Sequence, residues 1–421
     1  MNRIPLKITY KGSLFNAISY LIVLCSLFVA FCSLNKASLG SVCVILSLAL
    51  IALNFTNRNF ITWLPFATVC ALTTMLLELS GQAAVRGFNA PIIHTLKFIY
   101  LMFTVALSIS INRFSKEQKK RVLKWVLISV LISTCISLYN VIFVDKYAIR
   151  YYETRGFTKV VDFSQFYAIC LLLCVLFFAI VSYRGKTRVF KYIVLSVIIL
   201  ACIGLSLYVT GVILTALGIV LAFAFNKYKE NKSKAAIWAF VAILVIIVIF
   251  VFGNSISDWI YNITEPLNWI MRDRIRSVAD TVFRTDHNLV YSYDRRDELA
   301  SYSLNTFRQH PLFGIGYSSY GYGVIGCHQE WQDMLGVFGI IGTATFAVLI
   351  AYISKKIVKS ISNKTDIYAF YLALLLFVVL GFLNPCLSLP ILCVVFVIAP
   401  NISALFEPDN TLPEIKGSYS L

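Results

Sequence analysis

Arg296 and His328 bracket a stretch whose residue types suit anion binding and proton transfer. From Arg296 to Gly342 it reads RDELASYSLNTFRQHPLFGIGYSSYGYGVIGCHQEWQDMLGVFGIIG. An arginine offers a planar fork of donors that matches phosphate oxygens bidentately and stays charged at every relevant pH. An imidazole is the commonest side chain for moving a proton near neutrality. Glu330 and Asp333, two and five residues after His328, are carboxylates able to share or replace that role. Between the arginine and the histidine lie the pair His310-Pro311, the turn Gly314-x-Gly316 and a loop rich in Tyr and Gly. Leu299, Tyr302, Ser303 and Phe307 fall near helical spacing. That spacing predicts a short helix holding Arg296 at a fixed distance from the Gly-x-Gly turn.

Other candidates share the same chemistry. Residues 254–332 carry seven basic side chains and all are Arg: Arg272, Arg274, Arg276, Arg284, Arg295, Arg296 and Arg308. Topology needs only positive charge, so a segment that selects Arg asks for the geometry of the fork. Arg296 leads the candidates for a diphosphate ligand, with Arg295, Arg272 and Arg276 behind it and Arg308 as a substrate contact. The alternative is a solvated network pairing these arginines with Asp273, Asp280, Asp286, Asp294, Asp297 and Glu298. Another loop, DKYAIRYYETRGFTKVVDFSQFYA, adds Arg155 as a diphosphate candidate and Arg150 and Tyr152 as substrate contacts. Tyr faces stack on sugar rings, though aromatics at a membrane boundary also serve as belt residues.

The elements that must position these groups are membrane helices. With 59% hydrophobic and 14% charged residues over 421 positions, and a mean hydropathy of +0.79, the chain is not a water-soluble globule. Twelve spans are expected, at roughly 14–33, 39–55, 60–80, 92–112, 122–143, 163–183, 189–207, 210–226, 236–253, 333–353, 367–384 and 387–405. The 37-residue run from Val189 to Phe225 exceeds one crossing and is split at Tyr208–Gly211. The first span follows basic residues as a signal peptide would, but no cleavage site with a soluble domain after it is visible, so it is expected to stay. With the N-terminus inside, 23 of the 37 Lys+Arg fall in cytoplasmic segments, and adding or removing one span would misplace the lysine-rich loops. The expected fold is therefore an all-α integral membrane protein with both termini cytoplasmic and one long, partly helical outer loop. Its parts are an N-terminal membrane region (1–253), the outer loop (254–332), a C-terminal membrane region (333–406) and a tail (407–421). Within the loop, Pro266–Val282 has the spacing of an amphipathic helix, with Arg272 and Arg276 one turn apart.

Several functions are excluded or disfavoured. The net charge of +17 lies mostly in short loops between spans, which argues for lipid headgroups rather than nucleic acid as partner. Most of the eleven cysteines lie inside apolar spans as small hydrophobes, and no Cys/His spacing predicts a metal site or another cofactor. Glu78 and Lys97 are the ionisable residues placed within spans, both near ends.

The Arg296–Gly342 stretch resembles the C-terminal signature of the O-antigen polymerase and O-antigen ligase superfamily, integral membrane glycosyltransferases that use glycans on undecaprenyl diphosphate. The resemblance rests on the arginine fourteen residues before His310-Pro311, the Gly314-x-Gly316 turn, His328 before an apolar helix, and Gly339–Gly342. Arg155-Gly156-Phe157 matches loosely an Arg-Gly element of the family. It implies a metal-independent polysaccharide polymerase at the outer face of a bacterial inner membrane, with Arg296 on the diphosphate and His328, or else Glu330, as base. It also implies a flippase and a chain-length regulator of the same pathway as partners. The ligase alternative, transferring glycan to lipid A-core, is weakened because Tyr208-Val209-Thr210-Gly211-Val212 lacks the arginine ligases carry there. A flippase or transporter is a further alternative, disfavoured because no internal repeat is visible and the polar chemistry gathers in one loop.

Reporter fusions at Lys120, Lys232 and Lys359 are expected to read cytoplasm, and fusions at Lys159 and His287 the outer compartment. A reversed pair would overturn the span count.

Overall fold

The computed structural model describes residues 10–31, 93–139, 163–183, 189–206, 208–230, 253–266, 291–316, 325–326 and 328–407, with isolated positions between them. All regular structure among these residues is helical. In chain order the helices are α1 (Tyr10–Phe31), α2 (Ile93–Asn112), α3 (Lys116–Tyr139), α4 (Phe163–Ser182), α5 (Phe190–Ser206) and α6 (Val209–Glu230). They continue with α7 (253–264), α8 (Tyr291–Gln309), α9 (Glu330–Ser360), α10 (Lys364–Leu383) and α11 (389–405). Five are long and apolar enough to cross a membrane: Lys116–Tyr139, Ser164–Ser182, Thr210–Lys229, Glu330–Ser360 and Lys364–Leu383. The apolar parts of α1, α2, α5 and α11 are shorter. The long run of apolar residues after Val189 does divide, at Ser206 and Val209. The expected spans 39–55, 60–80 and 236–253 lie outside the described residues, apart from isolated positions.

Burial identifies the centre. α4 is buried from Phe166 to Leu176 without interruption, and it packs on α5, α6, α10 and α11. α11 is the second axis, buried throughout from Ile391 to Phe406 and touching α1, α2, α3, α4 and α10. It is not one regular helix: Leu389–Cys393 is α, Val394–Ile398 is π and Ala399–Leu405 is 3-10. Pro400 explains the change, because a proline has no N–H to give the carbonyl four residues back and its ring crowds that turn. The Asn401 side chain donates to Val397 O at 2.9 Å and satisfies one neighbouring carbonyl from within the helix. Outward-facing residues are apolar as well. Trp125, Ile128, Ile132 and Ile136 form an exposed stripe on α3, and Tyr371, Leu375, Val378 and Phe382 form another on α10. Stripes of this kind are what lipid tails cover.

The expected tenth span, 333–353, is not a single straight helix. α9 begins at Glu330 and breaks at Gly339, whose φ of 63° and ψ of −169° suit glycine alone. Two contacts with α2 show why it must bend. Lys97 meets Glu330 and Asn112 meets Ser360. Those pairs are about 22 Å apart along α2 but would be about 45 Å apart along a straight α9, at 1.5 Å per residue. Phe98 touches both Phe338 and Phe346, ring centres 6.3 and 5.3 Å away. Beyond Phe346, α9 therefore follows α2 in the same direction and in register, while residues 330–338 form a short separate helix.

The break is closed by another strand of backbone. At Gly339 the carbonyls of Gly336 and Val337 are released from the helix, and the N–H groups of Ile315 and Gly316 donate to them at 3.2 and 2.7 Å. In return, Ile340 and Ile341 donate to Pro311 O and Leu312 O at 2.8 and 3.2 Å. The turn after α8 is thus spliced into α9 by four reciprocal hydrogen bonds. Gly314 (φ 66°) and Gly339 face this splice so closely that a Cβ on either would lie 2.3–2.4 Å from the opposing backbone.

Gly339→Ala is expected to lower the thermal stability of the detergent-purified protein by at least the ~1–3 kcal/mol of backbone strain at such a site. Gly204→Ala is the control. Nothing lies within 4 Å of its Cβ position, and alanine is favoured there by about 0.5–1 kcal/mol inside a helix. Equal melting of the two variants would refute the splice.

Candidate functional site

The splice fixes α8 against the start of α9, and a buried polar cluster forms where they meet α2. Glu330 opens α9 with its side chain fully buried. Its Oε1 accepts from Lys97 Nζ at 2.5 Å, across 233 residues of sequence. Its Oε2 accepts the backbone N–H groups of Cys386 and Leu387 at 3.0 and 3.2 Å, in the link between α10 and α11. Asp333, nearly one turn later, is also buried. Ser303 Oγ of α8 donates to Asp333 Oδ1 at 2.6 Å, and the Gln329 N–H donates to Oδ2 at 3.2 Å. Ser303 in turn accepts the Gly326 N–H at 2.9 Å. Two hydrogen-bonded sets, joined through the first turn of α9, therefore tie α2, α8, the start of α9 and the α10–α11 link. Ionisable groups inside a membrane protein are costly unless paired, and this pairing makes the cluster a functional candidate.

His328 stands two residues before Glu330, exposed, just ahead of the extended residue Gln329 that starts α9. The predicted helix before His310-Pro311 exists as α8. Arg295 and Arg296 lie in its second turn, and Arg296 precedes Ser303 by seven residues. Two turns of helix put position 296 on the face that carries Ser303, about 10 Å further along the axis. The structure thus brings Glu330, Asp333 and the α8 face together with His328 at their edge. It does not leave Glu330 free: three hydrogen bonds already fill most of the acceptor capacity of its carboxylate.

Arg272 and Arg276 are engaged elsewhere. Both pair with Glu265 at the end of α7, Arg272 at 3.4 Å and Arg276 more closely. Arg276 also donates to Tyr261 O at 2.9 Å and lies over the Tyr261 ring. The hydrogen bond and charge of Arg276, with Arg272 behind it, hold the Glu265 carboxyl below its ordinary pKa. This is the surface-network alternative, with Glu265 as partner. Asp280 instead accepts from Ser257 and Tyr261 hydroxyls at 2.8 and 2.5 Å. Arg308 is exposed and donates to Asn305 at 3.1 Å. Arg150, Tyr152 and Arg155 lie outside the described residues.

Sequence reasoning noted Lys97 as a charge at a span's edge and gave it no role. The signal was there, since a lysine among apolar residues requires a counter-charge, but its partner is distant in sequence. Ser303 carried no signal beyond its place on the helical stripe. No family model, curated protein or solved structure matches the chain.

Lys97→Met leaves the Glu330 charge buried without its counter-ion, and it is expected to cost about 3–5 kcal/mol of stability. Adding Glu330→Gln should restore part of the loss, because the amide oxygen still accepts from Cys386 and Leu387. A double variant melting no higher than Lys97→Met would show that the charge is not what couples them.

Proposed function

We propose that this protein is a membrane glycosyltransferase, a polysaccharide polymerase of the O-antigen or capsule type, working at the outer face of a bacterial inner membrane. It moves a glycan from undecaprenyl diphosphate to the sugar hydroxyl of a lipid-linked repeat unit. The observation that carries the proposal is the anchoring of α8 on the first turn of α9 through Ser303 and Asp333, which puts position 296 and His328 at the margins of one rigid unit. The resemblance of the Arg296–Gly342 stretch supplies the reaction class.

In this scheme the bond between the anomeric carbon and the diphosphate oxygen breaks, and its electron pair leaves with the diphosphate. Arg296, with Arg295 beside it, stabilises that developing charge. The acceptor hydroxyl forms the new glycosidic bond and gives its proton to His328. Glu330 is a positioning residue, since taking a proton would require it to release Lys97 or the two amides. Diphosphate leaves readily, so no general acid is obligatory, and alignment of the two lipid-held substrates supplies much of the rate.

Purified protein supplied with lipid-linked repeat units and no lipid A-core is expected to make a ladder of chain lengths. Arg296→Lys keeps the charge and loses the fork, and should slow polymerisation about 100- to 1,000-fold. His328→Ala should slow it about 100- to 10,000-fold while retaining donor binding. Transfer only when core is added would favour a ligase. A full ladder from both variants would remove these residues from the reaction.

A further inference from the structure

The opposite end of the α2–α9 pair holds a second site. Between the Phe98–Phe346 contact and the Asn112–Ser360 hydrogen bond of 3.2 Å, the helices part around a cavity of about 250 Å³. Val105 and Ile109 of α2 and Ile353 and Ile357 of α9 give it apolar walls. Arg113 and Lys356 line it at the end where both helices stop. Both are exposed, and among the described residues neither pairs with a carboxylate. Ser108 also lines the cavity. It is 1% exposed, and its Oγ has no hydrogen-bond partner among the described residues.

Lys97 and Arg113 stand sixteen residues apart, so this cavity begins well away from the Glu330 cluster and ends about 24 Å from it along α2. The same end of the molecule carries Lys116, Lys119, Lys120, Lys355 and Lys359. Its chemistry is therefore a narrow apolar slot with one unanswered hydroxyl, opening under two cations without a carboxylate partner among the described residues, Lys356 resting over the Tyr352 ring. A soluble anion would gain nothing from the slot, and a neutral lipid would leave the cations unanswered. Basic pockets between membrane helices on the lysine-rich side are suited to anionic headgroups. At 250 Å³ the cavity is below the usual size for enclosing a whole small ligand, so it fits part of a lipid chain.

We propose that this slot is a binding site for an anionic phospholipid of the leaflet on the lysine-rich side. The phosphate lies between Arg113 and Lys356, a glycerol or ester oxygen accepts from Ser108, and the upper part of one acyl chain follows Val105, Ile109, Ile353 and Ile357. Held there, the lipid braces α2, the helix that carries Lys97, against the long arm of α9.

The test uses the full-length protein in detergent, incubated with equal phosphatidylglycerol and phosphatidylcholine, with retained lipid read by native mass spectrometry. Wild type is expected to retain phosphatidylglycerol preferentially. Arg113→Gln with Lys356→Gln should reduce that preference roughly 30-fold, the combined effect of two basic side chains near a lipid phosphate. Lys355→Gln with Lys359→Gln removes the same charge from the same helix end outside the cavity, and should leave the preference near wild type. Equal retention of the two lipids by wild type would overturn the proposal. So would an equal loss in both double variants, which would mean diffuse surface attraction. Release of the lipid by inorganic phosphate alone would also overturn it, since the slot would then contribute nothing.

Discussion

A peptide group facing lipid has no water to bond, so any break in a membrane helix must be answered from within the protein. The break at Gly339 is the point where this constraint governs the architecture. Two released carbonyls and two released N–H groups take partners from Pro311–Gly316, and in doing so they weld the turn after α8 to a helix long and apolar enough to cross a membrane. Everything at the candidate site follows from that weld. It lets residues 330–338 turn away from the axis of the long arm, brings Glu330 back to Lys97, and sets α8 where Ser303 reaches Asp333. A loop merely resting on the surface would place these groups with no such precision.

The sequence carried part of this. Apolar runs gave the helices from α1 to α6 and α10 closely, and helical spacing announced α8. The amphipathic signal at Pro266–Val282 lies largely outside the described residues, while α7 falls at the start of the segment expected to be partly helical. Gly314, Gly316 and Gly339 stand out in the sequence as a turn and a glycine run, with nothing to say what the glycines approach. Gly314 and Gly339 serve close approach of one backbone to another, a purpose that composition alone does not reveal. The Lys97–Glu330 pair was invisible for a different reason: it joins residues 233 positions apart, and no local periodicity encodes a partner. The winding of α11 lay between these extremes, because Pro400 marks a disturbance without saying whether the helix will kink, widen or tighten.

Buried ion pairs seldom add much net stability, because desolvation consumes most of the Coulombic gain. What this one supplies is a unique location for the first residue of α9. A carboxylate that accepts one ammonium and two backbone N–H groups can sit in only one place, and the Cys386–Leu387 link is fixed with it. The same saturation separates two roles that the sequence left merged. Among His328, Glu330 and Asp333, both carboxylates are committed to holding helices together, while the imidazole stands exposed at the edge of the unit they hold. In the proposed reaction, proton transfer and positioning belong to different residues only two positions apart, so a change at Glu330 would act by moving His328 rather than by removing a base.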